Sequence, residues 1–144
     1  MNIVCAEKQE LADIYQLEHA LFGDHAYPQF FFRQAFDCWD KGLLVAKQDS
    51  KVAGYALMTT TDKQHEFWIL SLAVDPNYRG MGVGRKLMHH AIVQLPQESK
   101  LLLTVDPNNT SACALYASMG FVTITQEENY FGDDEPRLVM QLII

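Results

Sequence analysis

Apolar residues along the opening of the chain repeat at helical spacing. Leu11, Ile14, Tyr15, Leu17, Leu21 and Phe22 lie mostly three and four apart, which predicts a helix over residues 8–22. Asn2–Cys5 reads as a short strand before it, and Gly23-Asp24 ends it. Pro28 suits the first helical position of a second helix over residues 29–38. Gly42 then breaks the pattern. Residues 43–47 read as a strand, 48–50 as a turn and 52–60 as the partner strand, with Gly54 marking a bulge. After a turn at 61–64, residues 66–74 are apolar at nearly every position, as expected of a central strand buried on both faces. Asp75-Pro76-Asn77-Tyr78 stops that strand, since proline cannot continue a ladder. Val83, Leu87, Met88, Ala91, Ile92 and Leu95 form one stripe of an amphipathic helix ending near Pro96. A buried strand over 101–105, a short helix over 109–119 capped by Gly120, and strands over 121–125 and 137–143 complete the chain. The order β-α-α-β-β-β-α-β-α-β-β predicts a mixed α/β fold, with a partly parallel sheet covered by helices on both faces.

Composition narrows the function. The 144 residues fit one domain over 1–144, and 49% hydrophobic against 20% charged residues is enough to fill a core. A formal net charge of −7 argues against nucleic-acid binding and mildly favours cationic partners such as amines. No apolar run approaches the roughly 20 residues of a membrane span, and the N-terminus lacks the basic start and apolar stretch of a signal peptide. Cys5, Cys38 and Cys113 lack the spacing of a disulfide framework or a zinc site. Free thiols fit a reducing cytoplasm, and no metal is expected. His89 and His90 are adjacent on a helix and point about ~100° apart, so they do not form a metal pair.

The segment with the clearest chemistry is Leu72-Ala73-Val74-Asp75-Pro76-Asn77-Tyr78-Arg79-Gly80-Met81-Gly82-Val83-Gly84-Arg85. A strand runs into a glycine-rich turn and then directly into a helix. Glycine permits positive φ and lets backbone approach a ligand with no Cβ in the way. Several N–H groups then converge where the helix dipole also favours an anion, and Arg79 and Arg85 add positive charge. The expected ligand is a phosphate or pyrophosphate. Two common phosphate patterns fail. Gly84 is followed by Arg85-Lys86-Leu87, with no magnesium-binding hydroxyl, and the glycine spacing is not that of a dinucleotide turn.

Arg79-Gly80-Met81-Gly82-Val83-Gly84 resembles the R/Q-x-x-G-x-G/A signature of the GNAT superfamily of N-acetyltransferases. Asn109-Thr-Ser-Ala-Cys-Ala-Leu-Tyr116-Ala-Ser-Met-Gly120-Phe121 is similar to its N-x-x-A-x-x-L-Y-x-x-x-G-F segment. Asn129-Tyr130-Phe131 and the closing Leu-Val-Met-Gln-Leu most resemble the RimI-like branch, which acetylates N-terminal amines of ribosomal and other proteins. The resemblance implies the GNAT-like acyl-CoA N-acyltransferase fold, with acetyl-CoA as cosubstrate in a V-shaped gap between the strands ending at Val74 and Val105. Leu72, Ala73 and Val74 would offer backbone groups to the pantetheine arm, and an amide near Leu72 would polarise the thioester carbonyl. The pyrophosphate would lie on Arg79, Gly80, Met81, Gly82, Val83, Gly84 and Arg85. Asn109 would bond the pantetheine.

In the same resemblance Tyr116 is the general acid at the departing thiolate, although by itself it reads as a core aromatic. Relatives carry Glu where this chain has Thr104, and threonine is no base at neutral pH. Either deprotonation passes through water or another group takes over, with Glu66 the first candidate and His65 and Asp106 behind it; Glu66 equally reads as a solvated strand end. The resemblance allows Phe30-Phe31-Phe32, Phe36 and Trp39 to wall an acceptor pocket, although by themselves they read mostly as core. Glu18, His25 and Tyr27 are weaker candidates for acceptor contacts, and Asp133-Asp134-Glu135 is a solvated loop able to attract a cation. Cys113 occupies a variable position of its motif and is not a nucleophile. The function implied is transfer of the acetyl group to a primary amine, a protein N-terminus or a small molecule, by direct attack in a ternary complex. The partner is that amine acceptor, and the chain is expected to be a monomer or homodimer. The alternative, kept open by Thr104, is a non-catalytic acyl-CoA-binding or sensory module.

Overall fold

A computed structural model describes residues 1–144. Its regular elements are β1 (Asn2–Cys5), α1 (Leu11–Phe22), α2 (Gln29–Cys38), β2 (Leu43–Gln48), β3 (Lys51–Thr60), β4 (Glu66–Val74), α3 (Val83–Val93), β5 (Lys100–Val105), α4 (Thr110–Ser118), β6 (Val122–Glu127) and β7 (Arg137–Ile143). That is the expected order of elements. The strands form one seven-stranded sheet in the order β1-β2-β3-β4-β5-β7-β6. β4 pairs β5 in parallel, from Glu66 with Lys100 to Ile69 with Leu103. The chain divides into two compact units that share β4: residues 1–59 with 71–94, and residues 60–70 with 95–144.

In the first unit β1, β2 and β3 pair antiparallel. Successive strand residues point to opposite faces, and Gly54 and Tyr55 show what each face meets. A Cβ on Gly54 would reach Val83 and Leu87 of α3 at 3.2 and 3.3 Å. The Tyr55 ring meets Phe32 of α2 edge-on at 5.6 Å, and its hydroxyl bonds Glu18 of α1. Helices therefore cover both faces of this unit, as expected. The bulge falls beside Gly54: Ala46 pairs with Gly54 and Lys47 with Val52, which leaves Ala53 as the extra residue.

The second unit holds the antiparallel β5, β7 and β6, the start of β4, and α4. The end of α4 is a Schellman motif. The Phe121 N–H bonds the Tyr116 carbonyl at 3.1 Å, and the Gly120 N–H bonds the Ala117 carbonyl at 3.1 Å. Gly120 holds φ +99°, the left-handed cap expected from sequence.

Several expectations are corrected. Pro28 is the N-cap of α2 in extended geometry (φ −69°, ψ 159°), not its first helical residue, because Gln29 opens the helix. Residues 8–10 form a 3₁₀ turn ahead of α1, where Glu7 and Glu10 close a capping box. α3 stops at Val93, before Leu95 and Pro96. Phe121 lies outside β6, because the Schellman motif uses its N–H. β4 is not buried on both faces: only Ile69 and Ala73 are buried, and its other residues are half-exposed, so an apolar run fixes the strand without fixing what covers it.

Gly42 shows how close the packing is in the first unit. A Cβ there would lie 1.9 Å from the Met58 carbonyl oxygen, whose own residue donates an N–H to the Gly42 carbonyl at 2.9 Å. Gly42→Ala is expected to cost about 3 kcal/mol by forcing these two backbones apart, read as a lowered urea midpoint at unchanged slope.

Candidate active site

The glycine turn is fixed at its start and open at its end. The Asp75 N–H donates to the Ala53 carbonyl at 2.8 Å, and the Asp75 carboxylate accepts the Asn77 N–H at 2.9 Å. A 3₁₀ turn over Pro76–Tyr78 follows. Gly80 and Gly82 then hold φ of +79° and +74°, a region costly for residues with a Cβ. A Cβ on either would meet nothing within 4 Å, so both face open space. Gly82 is the N-cap of α3, and no side chain caps the helix. The Lys86 N–H bonds the Gly82 carbonyl at 3.0 Å, whereas the amides of Val83 and Gly84 have no intrahelical acceptor. They lie at the positive end of the helix dipole. Gly84 is the second residue of α3 and not part of the left-handed turn, so two glycines shape the turn rather than three. Arg79, Gly80, Met81, Gly82 and Arg85 are exposed, while Val83 is buried and anchors the helix start. Upstream, Leu72 and Val74 are half-buried and Ala73 is buried.

The first unit also holds a buried polar cluster. Glu18 lies on α1 and is 2% exposed. Its Oε2 accepts the Tyr27 N–H at 2.9 Å. Its Oε1 accepts from the Tyr55 hydroxyl and, at 3.2 Å, from the Ser71 hydroxyl of β4. Tyr55 and Ser71 oxygens are themselves 2.6 Å apart. Burial first, and then Glu18, push the Tyr55 phenol well above its ordinary pKa. Sequence reasoning ranked Glu18 and Tyr27 low and missed Tyr55 and Ser71. One signal was present: Glu18 sits four residues after Ile14 and three before Leu21, inside the apolar stripe of α1.

The second unit carries the other expected residues. Asn109 is the N-cap of α4, and its Oδ1 accepts the Ala112 N–H at 3.1 Å and the Ser111 hydroxyl at 3.2 Å. Tyr116 is buried, its ring 5.8 Å from Phe121, the apolar contact that accompanies a Schellman end. Burial, and secondly Cys113, push its phenol up to about 12. The Cys113 thiol itself bonds the Asp106 carbonyl at 3.7 Å. Thr104 is half-buried on β5 opposite Val139. Glu66 opens β4, half-exposed, and accepts from the Thr61 hydroxyl at 3.2 Å. His65 is exposed at φ +60°. No group of three His, Cys, Asp or Glu side chains is placed to hold a metal ion, and no helix is long and apolar enough to cross a membrane.

The raised Tyr116 pKa carries a stability consequence. The folded chain holds this proton more tightly than the unfolded chain, whose tyrosine titrates near ~10. The stabilisation is complete below pH ~10 and is lost as pH rises toward 12. Tyr116→Phe should lessen the loss of stability between pH 9 and 11 by about 1 kcal/mol, measured by urea unfolding at both values.

Residues 9–121 match the Acetyltransferase (GNAT) family. The chain is 36% identical over 92 residues to the [ribosomal protein bS18]-alanine N-acetyltransferase of Escherichia coli K12, covering 62% of this chain and 61% of that relative. It is 32% identical over 123 residues to the enzyme of the same name from Haemophilus ducreyi, covering 74% of this chain and 83% of that one. The crystal structure of the ribosomal-protein-S18-alanine N-acetyltransferase from Escherichia coli superposes with a TM-score of 0.84 at 27% identity, over 98% of this chain and 92% of that one. With the glycine turn, the Asn109–Phe121 segment and the strand order in place, this chain belongs to the acetyltransferase (GNAT) family, close to the ribosomal-protein alanine N-acetyltransferases.

Proposed function

We propose that the chain transfers the acetyl group of acetyl-CoA to a primary amine, with the N-terminus of a protein as acceptor. The observation that carries this reading is the start of α3: an uncapped helix N-terminus behind two left-handed glycines that face open space. A diphosphate satisfies such amides and is favoured by the dipole, while Arg79 beside the turn adds charge. The half-exposed Leu72 and Val74 suit the pantetheine arm, which would pair with β4 as an added strand does. The Asn109 oxygen is taken by its cap, so its amide NH₂ is the group left for the pantetheine. The names of the relatives favour a protein N-terminal amine over a small molecule.

Tyr116 serves the departing sulfur in this reading, and its pKa defines how. A CoA thiolate resembles that of cysteine, with a pKa near ~8.5. A phenol at about 12 would give up its proton to that thiolate only against a gradient of roughly 5 kcal/mol. Tyr116 therefore acts as a hydrogen-bond donor that stabilises the developing thiolate, which reaches its own proton from solvent. The second reading is a non-catalytic acyl-CoA-binding module, and Thr104, a hydroxyl where the family resemblance implies a carboxylate, is the feature that favours it.

Incubation with acetyl-CoA and two pools, short peptides and then polyamines with amino acids, followed by mass spectrometry, separates these readings. The enzyme acetylates N-terminal amines of the peptide pool, whereas a module binds CoA without thiol release above background. Gly82→Val should remove CoA binding by calorimetry with the far-ultraviolet spectrum unchanged, since the side chain enters open space and the turn resists a branched residue at φ +74°. Tyr116→Phe should lower kcat on the order of 10²-fold while the KM for acetyl-CoA stays within about twofold.

A further inference from the structure

An ammonium acceptor must give up a proton before its nitrogen can attack, and Thr104 cannot accept it. The buried cluster around Glu18 is built to do so. Placing a carboxylate at a position where leucine would fit is costly unless every lone pair is answered. Here the Tyr27 N–H answers one oxygen, and the hydroxyls of Tyr55 and Ser71 answer the other. The three oxygens Glu18 Oε1, Tyr55 Oη and Ser71 Oγ lie within bonding distance of one another. Two hydroxyl protons serve these contacts. Glu18 and Tyr55 are fully sequestered, but Ser71 is half-exposed. When its proton points inward, the outer lone pair of Ser71 Oγ is left to accept a hydrogen from outside the cluster. Ser71 also directly precedes Leu72, the residue assigned to the thioester.

We propose that Ser71, Tyr55 and Glu18 form a proton relay that takes the proton of the acceptor amine, with Ser71 at its open end and Glu18 at its buried end. This rests on the acetyl-transfer reading above. The ammonium nitrogen gives its proton to Ser71 Oγ. The hydroxyl proton of Ser71 passes to Glu18 Oε1, directly or through the Tyr55 hydroxyl. The carboxylate becomes a carboxylic acid, and the neutral amine uses its lone pair to form the bond to the acetyl carbon as the C–S bond breaks and CoA leaves as a thiolate. The second proton that the nitrogen sheds on becoming an amide passes to solvent, from which the thiolate takes its own. After product leaves, the proton returns along the same hydroxyls to water and the carboxylate is restored. Ser71 touches the amine, while Glu18 and Tyr55 act through it as positioning residues. The tie from Glu18 to the Tyr27 N–H fixes the loop between α1 and α2 to the same cluster.

The test uses the full chain with acetyl-CoA and a short peptide bearing a free N-terminal amine. Ser71→Ala and Glu18→Gln are expected to lower kcat on the order of 10²-fold, with the KM for acetyl-CoA within about twofold of the parent. Ser71→Thr, which keeps a hydroxyl, should recover most of the rate. Glu18 is buried and its variant can unfold, so the half-exposed Ser71 carries the decision. If Ser71→Ala keeps its kcat, the relay is wrong, and a loss in Glu66→Gln alongside it assigns the proton to Glu66. A Ser71→Ala variant that loses acetyl-CoA affinity and kcat together has a structural role only, which also overturns the relay. A parent chain that acetylates no amine removes the acetyl-transfer reading, and the relay with it.

Discussion

The close approach of α3 to β3 at Gly54 is the constraint on which the rest of the first unit depends. A Cβ there would stand 2.8 Å from the Ala73 carbonyl oxygen as well as against Val83 and Leu87. The missing side chain lets three elements meet at one point: the middle of β3, the end of β4 and the first turn of α3. Val83 and Leu87 are buried by that meeting, so the start of α3 is set by apolar packing rather than by a cap. The turn between β4 and α3 is then free to be shaped for something other than its own stability. Gly80 and Gly82 take left-handed geometry, Asp75 pins the entry, and no side chain caps the start of the helix. Packing on one side of the helix offsets the missing side-chain cap at its end.

A comparable division of labour holds Tyr116. The Schellman motif consumes the carbonyl of Tyr116 and the N–H of Phe121, and the two rings close the motif. The tyrosine is therefore immobilised by the helix end itself. Its burial also raises its pKa, which keeps the phenol a hydrogen-bond donor through the physiological range and makes it a poor source of a free proton. The same environment that fixes its position thus fixes its chemical role in the proposed reaction.

Glu18 is the centre of a polar cluster that joins α1, the loop after it, β3 and β4. Unlike the ion pair of the buried Glu10 with Lys47, at 2.8 Å, the Glu18 cluster answers its carboxylate with neutral donors. Neutral donors hold a carboxylate without cancelling its charge, and hydroxyls can pass a proton where a lysine would only pair with it. That difference is why this cluster, and not the Glu10–Lys47 pair, bears on the proposed chemistry.

The order of elements was legible because it rests on local physics. Hydrophobic periodicity set the helices and strands, and glycine at residues 42, 82 and 120 marked places where only backbone without a Cβ fits or turns. The glycine turn and the Asn109–Phe121 segment were legible for the same reason, since each is a contiguous stretch whose residues act through their own backbone. Pro28 and Gly84 were each misplaced near a helix start, where a single residue of offset changes the role and periodicity has no such resolution. The covering of β4 was misjudged because an apolar run states what a strand can bury and not what is there to bury it. The Glu18–Tyr55–Ser71 cluster was not legible beyond the place of Glu18 in the apolar stripe of α1. Its members are 37 and 53 residues apart from Glu18 in the chain, and each alone is an ordinary residue. Sequence determined the elements and the backbone-shaped turns, because those depend on neighbours. Tertiary structure alone decided which polar side chains share a buried space, because that depends on which faces the chain brings together.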